Sequence, residues 1–355
     1  MNLNLRGRSA LHVMSLGGAF FVGIMFGLGA RQSEAKAMSR FSEQEIAQRQ
    51  ADIAKIYVDH AQLQLIRMEL EHRSRYGALG SHGKLTMLIG ESGCGKTVTV
   101  EAFVAMRNRD PQSRVLCVRL PVPCTIKSVT SETLRQLGDP LCDRNSTASR
   151  NSARIIHQLT EQGIRLFIID EFQHLIDHDR DKVLRQTTDW LKTLLDAAGV
   201  PVVCVGLPNS LEVIRSNRQL ERRTTKVISL RPFVWDEGEE TAVFRAFLHF
   251  YESELPFASP SNLSAEPLAK ALHSASEGVV GRVSQLISEA SLVSMRRPSG
   301  EDQLTWQDFA EAYAGLPFAD RNPFDPAVMM RQATGERRAI STRGRPRSPP
   351  STPIL

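Results

Sequence analysis

The sequence predicts an α/β fold: a parallel sheet of five strands interleaved with helices, followed by a smaller all-helical domain. Three observations carry this. First, Gly90-Glu91-Ser92-Gly93-Cys94-Gly95-Lys96-Thr97 has the spacing G-x-x-x-x-G-K-[ST] and lies between a short apolar run (85–89) and a helical pattern (98–106). Second, Leu166, Phe167, Ile168 and Ile169 form a continuous apolar run, as in a strand buried on both faces, which ends in Asp170-Glu171. Third, beyond Arg231-Pro232-Phe233 the strand patterns stop and helical ones take over.

The chain has 355 residues, enough for a large domain and a smaller one. Hydrophobic residues make up 41% and charged residues 23%, which places it among globular chains rather than fibrous or wholly disordered ones. Five scattered cysteines, without C-x-x-C or histidine at metal spacing, argue against a disulfide framework and a zinc site and fit a reducing cytoplasm. The net charge of +5 is concentrated at the ends. Residues 331–355 hold six arginines and one glutamate, and residues 1–37 four basic groups and one acid, leaving the body at about −3. Any nucleic acid would therefore have to meet a local basic patch.

Residues 10–30 are apolar, follow Arg6 and Arg8, and precede Ala35-Lys36-Ala37. They read as a signal peptide with an A-x-A site, as a membrane span, or as sequence upstream of a true start at Met38. Export conflicts with a phosphate loop, since an exported protein would meet no ATP. The third reading is preferred because this stretch has no relation to the polar, well-capped segment that begins at Met38. Ser42-x-x-Glu45 is a capping-box signature for a first helix, and a second is expected over 60–72, with Asp59 as its cap. The alternating run 114–120 is a strand that Pro121 and Pro123 end. The polar stretch 125–153 reads as a surface excursion with a short helix over 131–137, and 152–162 as a further helix. An amphipathic helix over 183–198 comes after the acid-tipped strand, with Leu184, Thr187, Leu191, Leu194 and Leu195 on one side. Residues 201–207 and 226–230 complete five strands, and helices are expected over 237–252, 265–276, 282–296 and 306–314. Residues 331–355, rich in Arg, Pro and Ser, read as a disordered basic tail.

The chemistry comes from the residue types. Glycines let the loop wrap a polyphosphate with its N–H groups pointing inward, and the helix behind adds its positive dipole end. Lys96 reaches the β- and γ-phosphates of ATP, and the Thr97 hydroxyl suits Mg²⁺. Asp170 would hold the metal through water, and Glu171 would orient or deprotonate the attacking water. His174, in Asp170-Glu171-Phe172-Gln173-His174, reads as a polar residue at a helix start rather than a catalyst.

These features resemble the AAA+ ATPases over about residues 55–315 and, within them, the TniB/TnsC group of transposition ATPases. The narrower resemblance rests on Asp170 to His174, the run 200–210, the run 217–223 and the Ile56-Tyr57 segment. It implies a P-loop core with strand order 51432 and a C-terminal four-helix lid. The implied divisions are an N-terminal extension (1–37), an ATPase core with its N-terminal helices (38–233), the lid (234–316) and the tail (317–355). It further implies a cytoplasmic, DNA-binding, homo-oligomeric ring or filament, with membrane attachment not expected, that recruits a separate transposase. By position, Arg222 or Arg223 would reach a neighbouring subunit's γ-phosphate, and Arg282 that of its own subunit. Lys127 and Thr130 would touch the DNA backbone. Asn209 is the candidate water sensor after the fourth strand. A membrane-anchored AAA+ ATPase and a replication initiator- or loader-like ATPase are the alternatives.

Overall fold

The structure, a computed structural model, describes residues 40–76, 83–122, 124–142, 144, 146–175, 180–236 and 238–325. The apolar stretch 10–30 and the basic tail 331–355 lie outside them. Among the described residues no helix is long and apolar enough to cross a membrane.

The chain divides into two compact units. The larger spans 58–247 and 276–283 and contains a five-stranded, all-parallel sheet. Its strands are β1 (Leu85–Gly90), β2 (Val115–Arg119), β3 (Leu166–Asp170), β4 (Val202–Gly206) and β5 (Thr224–Leu230). Their spatial order is β2-β3-β4-β1-β5, the expected 51432 arrangement read from the other edge. Before β3 come α1 (Glu43–Ile53), α2 (Ala61–Tyr76), α3 (Lys96–Arg107), α4 (Ile126–Gln136) and α5 (Ala148–Glu161), and α6 (Arg180–Ala198) lies between β3 and β4. Short α7 (Leu211–Arg215) and α8 (Arg218–Arg223) lead into β5.

Alternation along the strands sorts side chains onto two faces. Leu85, Met87, Ile89, Phe167, Ile169 and Cys204 face a core shared with Val129 and Leu134 of α4, Ile155 and Leu159 of α5, and Leu191, Leu194 and Leu195 of α6. Leu88, Ile168, Val203 and Val205 face the other core, with Leu63, Ile66 and Leu70 of α2 and Val100 and Phe103 of α3. Each fully buried leucine or isoleucine in these layers contributes about 1.5–3 kcal/mol relative to exposure. The three central strands β3, β4 and β1 are buried throughout, which is why they read as unbroken apolar runs.

The stretch read as a surface excursion is instead mostly α4 and α5, packed on each other. Its hydroxyls are satisfied locally: Thr133 donates to the Val129 carbonyl at 2.8 Å and Thr130 to that of Lys127 at 3.0 Å. Asp59 pairs with Arg67 at 2.6 Å instead of acting as the expected cap of α2.

The smaller unit holds described residues 40–57, 248–275 and 284–325. It comprises α1, the end of α9 (Glu239–Ser253), α10 (Glu266–Ser276), most of α11 (Val280–Arg296) and α12 (Trp306–Ala314). The expected capping box is present: Ser42 Oγ accepts from the Glu45 N–H and Glu45 Oε2 from the Ser42 N–H. The sequence places α1 with the sheet; in the structure it groups with the lid helices. Arg40 and Arg49 both pair with Asp302 while flanking the Phe41 ring at 4.5 and 4.1 Å, and Gln50 donates to the Ser288 carbonyl. The start of α11, expected to open the third lid helix, belongs to the sheet-containing unit.

Candidate nucleotide site

The strand–loop–helix unit β1–α3 builds the site. Gly93 and Gly95 have φ of 79° and 96°, left-handed values that favour glycine. Gly90 is required for a different reason: a Cβ there would lie 2.4 Å from the Leu230 carbonyl oxygen. Lys96 and Thr97 open α3, where the first N–H groups of a helix have no partner within it. The loop therefore presents donors and a positive dipole end to one point. Lys96 Nζ crosses the loop and donates to the carbonyls of Gly90 and Glu91 at 2.7 and 2.8 Å. Glu91, Ser92 and Gly93 are exposed, whereas the Cys94 side chain is buried in the core beneath the loop. Burial pushes its thiol above the usual range, so it is an apolar anchor rather than a nucleophile.

Beside the loop, Thr97 Oγ1 donates to Asp170 Oδ2 at 2.9 Å. Asp170 is 2% exposed. Burial raises its carboxyl above the ordinary value, opposed by the Glu171 N–H and the Thr97 hydroxyl. A hydroxyl and a buried carboxylate, both hard oxygen donors, at the mouth of a phosphate loop fit Mg²⁺, which takes few protein ligands and fills its sphere with phosphates and water. Arg119 ends β2 in register with Asp170, its Nε 3.8 Å from Oδ2 and its NH2 2.8 Å from Glu101. Glu171 is half-buried, with a φ of 58°. The Gln173 amide donates to Glu171 Oε2 and accepts from the Leu207 N–H at 3.2 Å. His174 lies in the 3₁₀ turn Phe172–Leu175.

The first turn of α11 closes on the loop. Gly281 N–H donates to the Gly93 carbonyl at 2.8 Å, and a Cβ on Gly281 would lie 2.9 Å from that oxygen. Arg282, the next residue, pairs with Glu277 at 2.5 Å. Of the two candidate arginines ending α8, Arg223 pairs with Asp196, while Arg222 is exposed with no ionic partner among the described residues. Arg218, at the start of α8, is exposed too.

The remaining expectations divide. Lys127 is exposed on the first turn of α4. Thr130, expected at the DNA surface, is 0% exposed, because α4 turns it against Asn151 of α5, whose amide donates to it at 3.3 Å. Asn209 is exposed in a 3₁₀ turn, and the side chain joining the end of β4 to Glu171 is that of Gln173. Sequence reasoning assigns no role to Gln173, Arg119 or Gly281. The end-of-strand position of Arg119 is the available signal, since strands in parallel register bring their last residues together.

A family model described as "Bacterial TniB protein" matches residues 52–233. No curated protein sequence matches. The fold is similar to the crystal structure of Cdc6p from Pyrobaculum aerophilum, with a TM-score of 0.55 and 17% identity over 74% of this chain and 70% of that one. It is also similar to the Aeropyrum pernix ORC1 protein in complex with DNA, with a TM-score of 0.52 and 18% identity over 72% of this chain and 64% of the other. At such identities the likeness concerns the fold alone.

Proposed function

This chain belongs to the bacterial TniB family and has the fold of an AAA+ ATPase, and on that premise we propose that it is an ATP-dependent, DNA-binding regulator of transposition. In this reading ATP binding drives assembly of a homo-oligomeric ring or filament on DNA, which recruits and stimulates a separate transposase. The protein acts in the cytoplasm. The observation that carries the reading is the convergence of Thr97 and Asp170 at 2.9 Å, beside Glu171 and at the foot of the Gly90 to Thr97 loop.

The loop N–H groups and Lys96 bind the phosphates; for Lys96 this means exchanging two carbonyl acceptors for anionic oxygens, a stronger charge-assisted interaction. Thr97 and Asp170 would hold Mg²⁺, which supplies charge neutralisation on the phosphate oxygens. Glu171 takes the proton of the attacking water. Arg282 would reach the phosphates of its own subunit on exchanging its pairing with Glu277, and the contact of Gly281 with Gly93, which brings its backbone to the loop, supports this. Arg222 is the better candidate for a neighbouring subunit's nucleotide, since Asp196 already holds Arg223. Lys127 contributes a sequence-independent backbone contact to DNA. DNA as partner is supported by the family and by a shared fold in a neighbour solved with DNA.

The deciding experiment is DNA binding by the full chain with and without ATP at two salt concentrations. Binding that requires ATP, ignores sequence and weakens with salt supports the reading. Binding indifferent to ATP refutes it.

A further inference from the structure

We infer that Gln173 is a positioning residue for Glu171, fixing the carboxylate and tying it to the end of β4; this rests on the reading of Glu171 as the group that activates water. Gln173 is 6% exposed, in the turn just beyond β3. Both ends of its amide are committed. Nε2 donates to Glu171 Oε2, and Oε1 accepts from the N–H of Leu207, the first residue beyond β4, at 3.2 Å. This fixes the amide's orientation. Flipped, its oxygen would face a carboxylate and its NH₂ group another donor.

The seat is shaped for this side chain. A Cβ on Gly206 would lie 2.9 Å from Gln173 Oε1 and 2.5 Å from Ser210 Oγ, so glycine at that position leaves room for the amide. Glu171 needs such a hold. Its φ of 58° is uncommon for a residue with a side chain, and neighbours must maintain it. Its N–H is fixed by Asp170 Oδ1 at 2.9 Å and its carbonyl by the His174 N–H at 3.0 Å. Gln173 fixes the remaining part, the carboxylate. A group that removes a proton from water must be held in line with it, and rate falls quickly with misplacement.

The same amide makes the base sensitive to β4. From Leu207 the chain runs through Pro208–Ser210 and α7 to α8, which ends in Arg222 and Arg223.

The test compares Gln173→Met and Gln173→Leu, close to Gln in volume but without a donor, with Glu171→Gln and the Glu171→Gln/Gln173→Met double variant. All are full-length chains, assayed for ATP binding and steady-state hydrolysis. Both single Gln173 variants are expected to keep the nucleotide Kd within about twofold and to lose kcat roughly tenfold or more. The double variant should be no slower than Glu171→Gln alone, because the two residues act as one unit. Parent-like kcat in both Gln173 variants beside a slow Glu171→Gln overturns the inference alone. So does a double variant whose losses multiply. A Glu171→Gln protein that turns over like the parent overturns the reading of the base, and the inference with it.

Discussion

Thr97 and Asp170, 73 positions apart, are joined by a 2.9 Å hydrogen bond between hydroxyl and carboxylate. That bond makes the phosphate loop and the acid-tipped strand one site, and it sets the first expectation. Thr97→Ala removes the hydroxyl and leaves a buried carboxylate with one donor fewer. The Mg²⁺ concentration needed for half-maximal ATP hydrolysis should rise about 10–100-fold, the usual range for losing a metal-site partner. Lys96→Ala should cut hydrolysis by about 10²–10³, typical of removing a donor aimed at developing charge. An unchanged Mg²⁺ titration in the first and unchanged turnover in the second would place the chemistry elsewhere.

Glu171→Gln preserves shape and hydrogen bonding but not basicity. Nucleotide should still bind, while hydrolysis falls by about 10²–10⁴, the range for general base catalysis. The assembled, ATP-bound state should then outlive that of the parent on DNA, measured by dissociation after dilution. If Glu171→Gln fails to bind ATP, the residue supports the loop instead.

Much of this site was legible in the sequence, because it depends on local order. Glycine spacing fixes a loop geometry whatever surrounds it, and an apolar run ending in acids fixes where those acids emerge from a parallel sheet. What the sequence could not supply were contacts between distant segments. Gln173 reaches Leu207 and Gly281 packs on Gly93, and neither pairing leaves a local pattern. Thr130 failed as a surface residue for a related reason. Its hydroxyl bonds back to the Lys127 carbonyl, so a polar residue stays buried at little cost and composition alone misreads its segment. Residues 40–57 group with the lid helices because Arg40 and Arg49, which flank the Phe41 ring, pair with Asp302, which is far along the chain.

The two arginines ending α8 should separate cleanly. Arg223 is occupied by Asp196 on α6, and Arg222 is exposed. Arg223→Ala should lower stability by no more than about 1 kcal/mol, the range for a partly exposed pair, and leave turnover near the parent value. Arg222→Ala should bind ATP normally yet lose DNA-stimulated hydrolysis by about 10³ or more, as expected when a finger supplied in trans is removed. The reverse pattern would assign the finger to Arg223, and normal stimulated turnover in both would remove the trans finger from the mechanism.

His60, 8% exposed, sits against Phe233 and Phe247 at ring-centroid distances of 4.9 and 5.9 Å, with neither ring nitrogen partnered among the described residues. Burial lowers its pKa from 6.5 to about 4, and the nearby Asp59 opposes the shift only partly. An unfolded chain therefore protonates this imidazole below about pH 6.5, while the folded one stays neutral until near pH 4. Between those values the unfolded state binds more protons, so stability falls as pH falls. The loss from this one group is about 2 kcal/mol between pH 7 and pH 5. It should appear in urea midpoints measured at the two pH values, with His60→Leu losing correspondingly less on acidification than the parent. Equal losses in the two proteins would mean that His60 is charged or solvated in the folded state, and that the aromatic cluster around it does not exclude water.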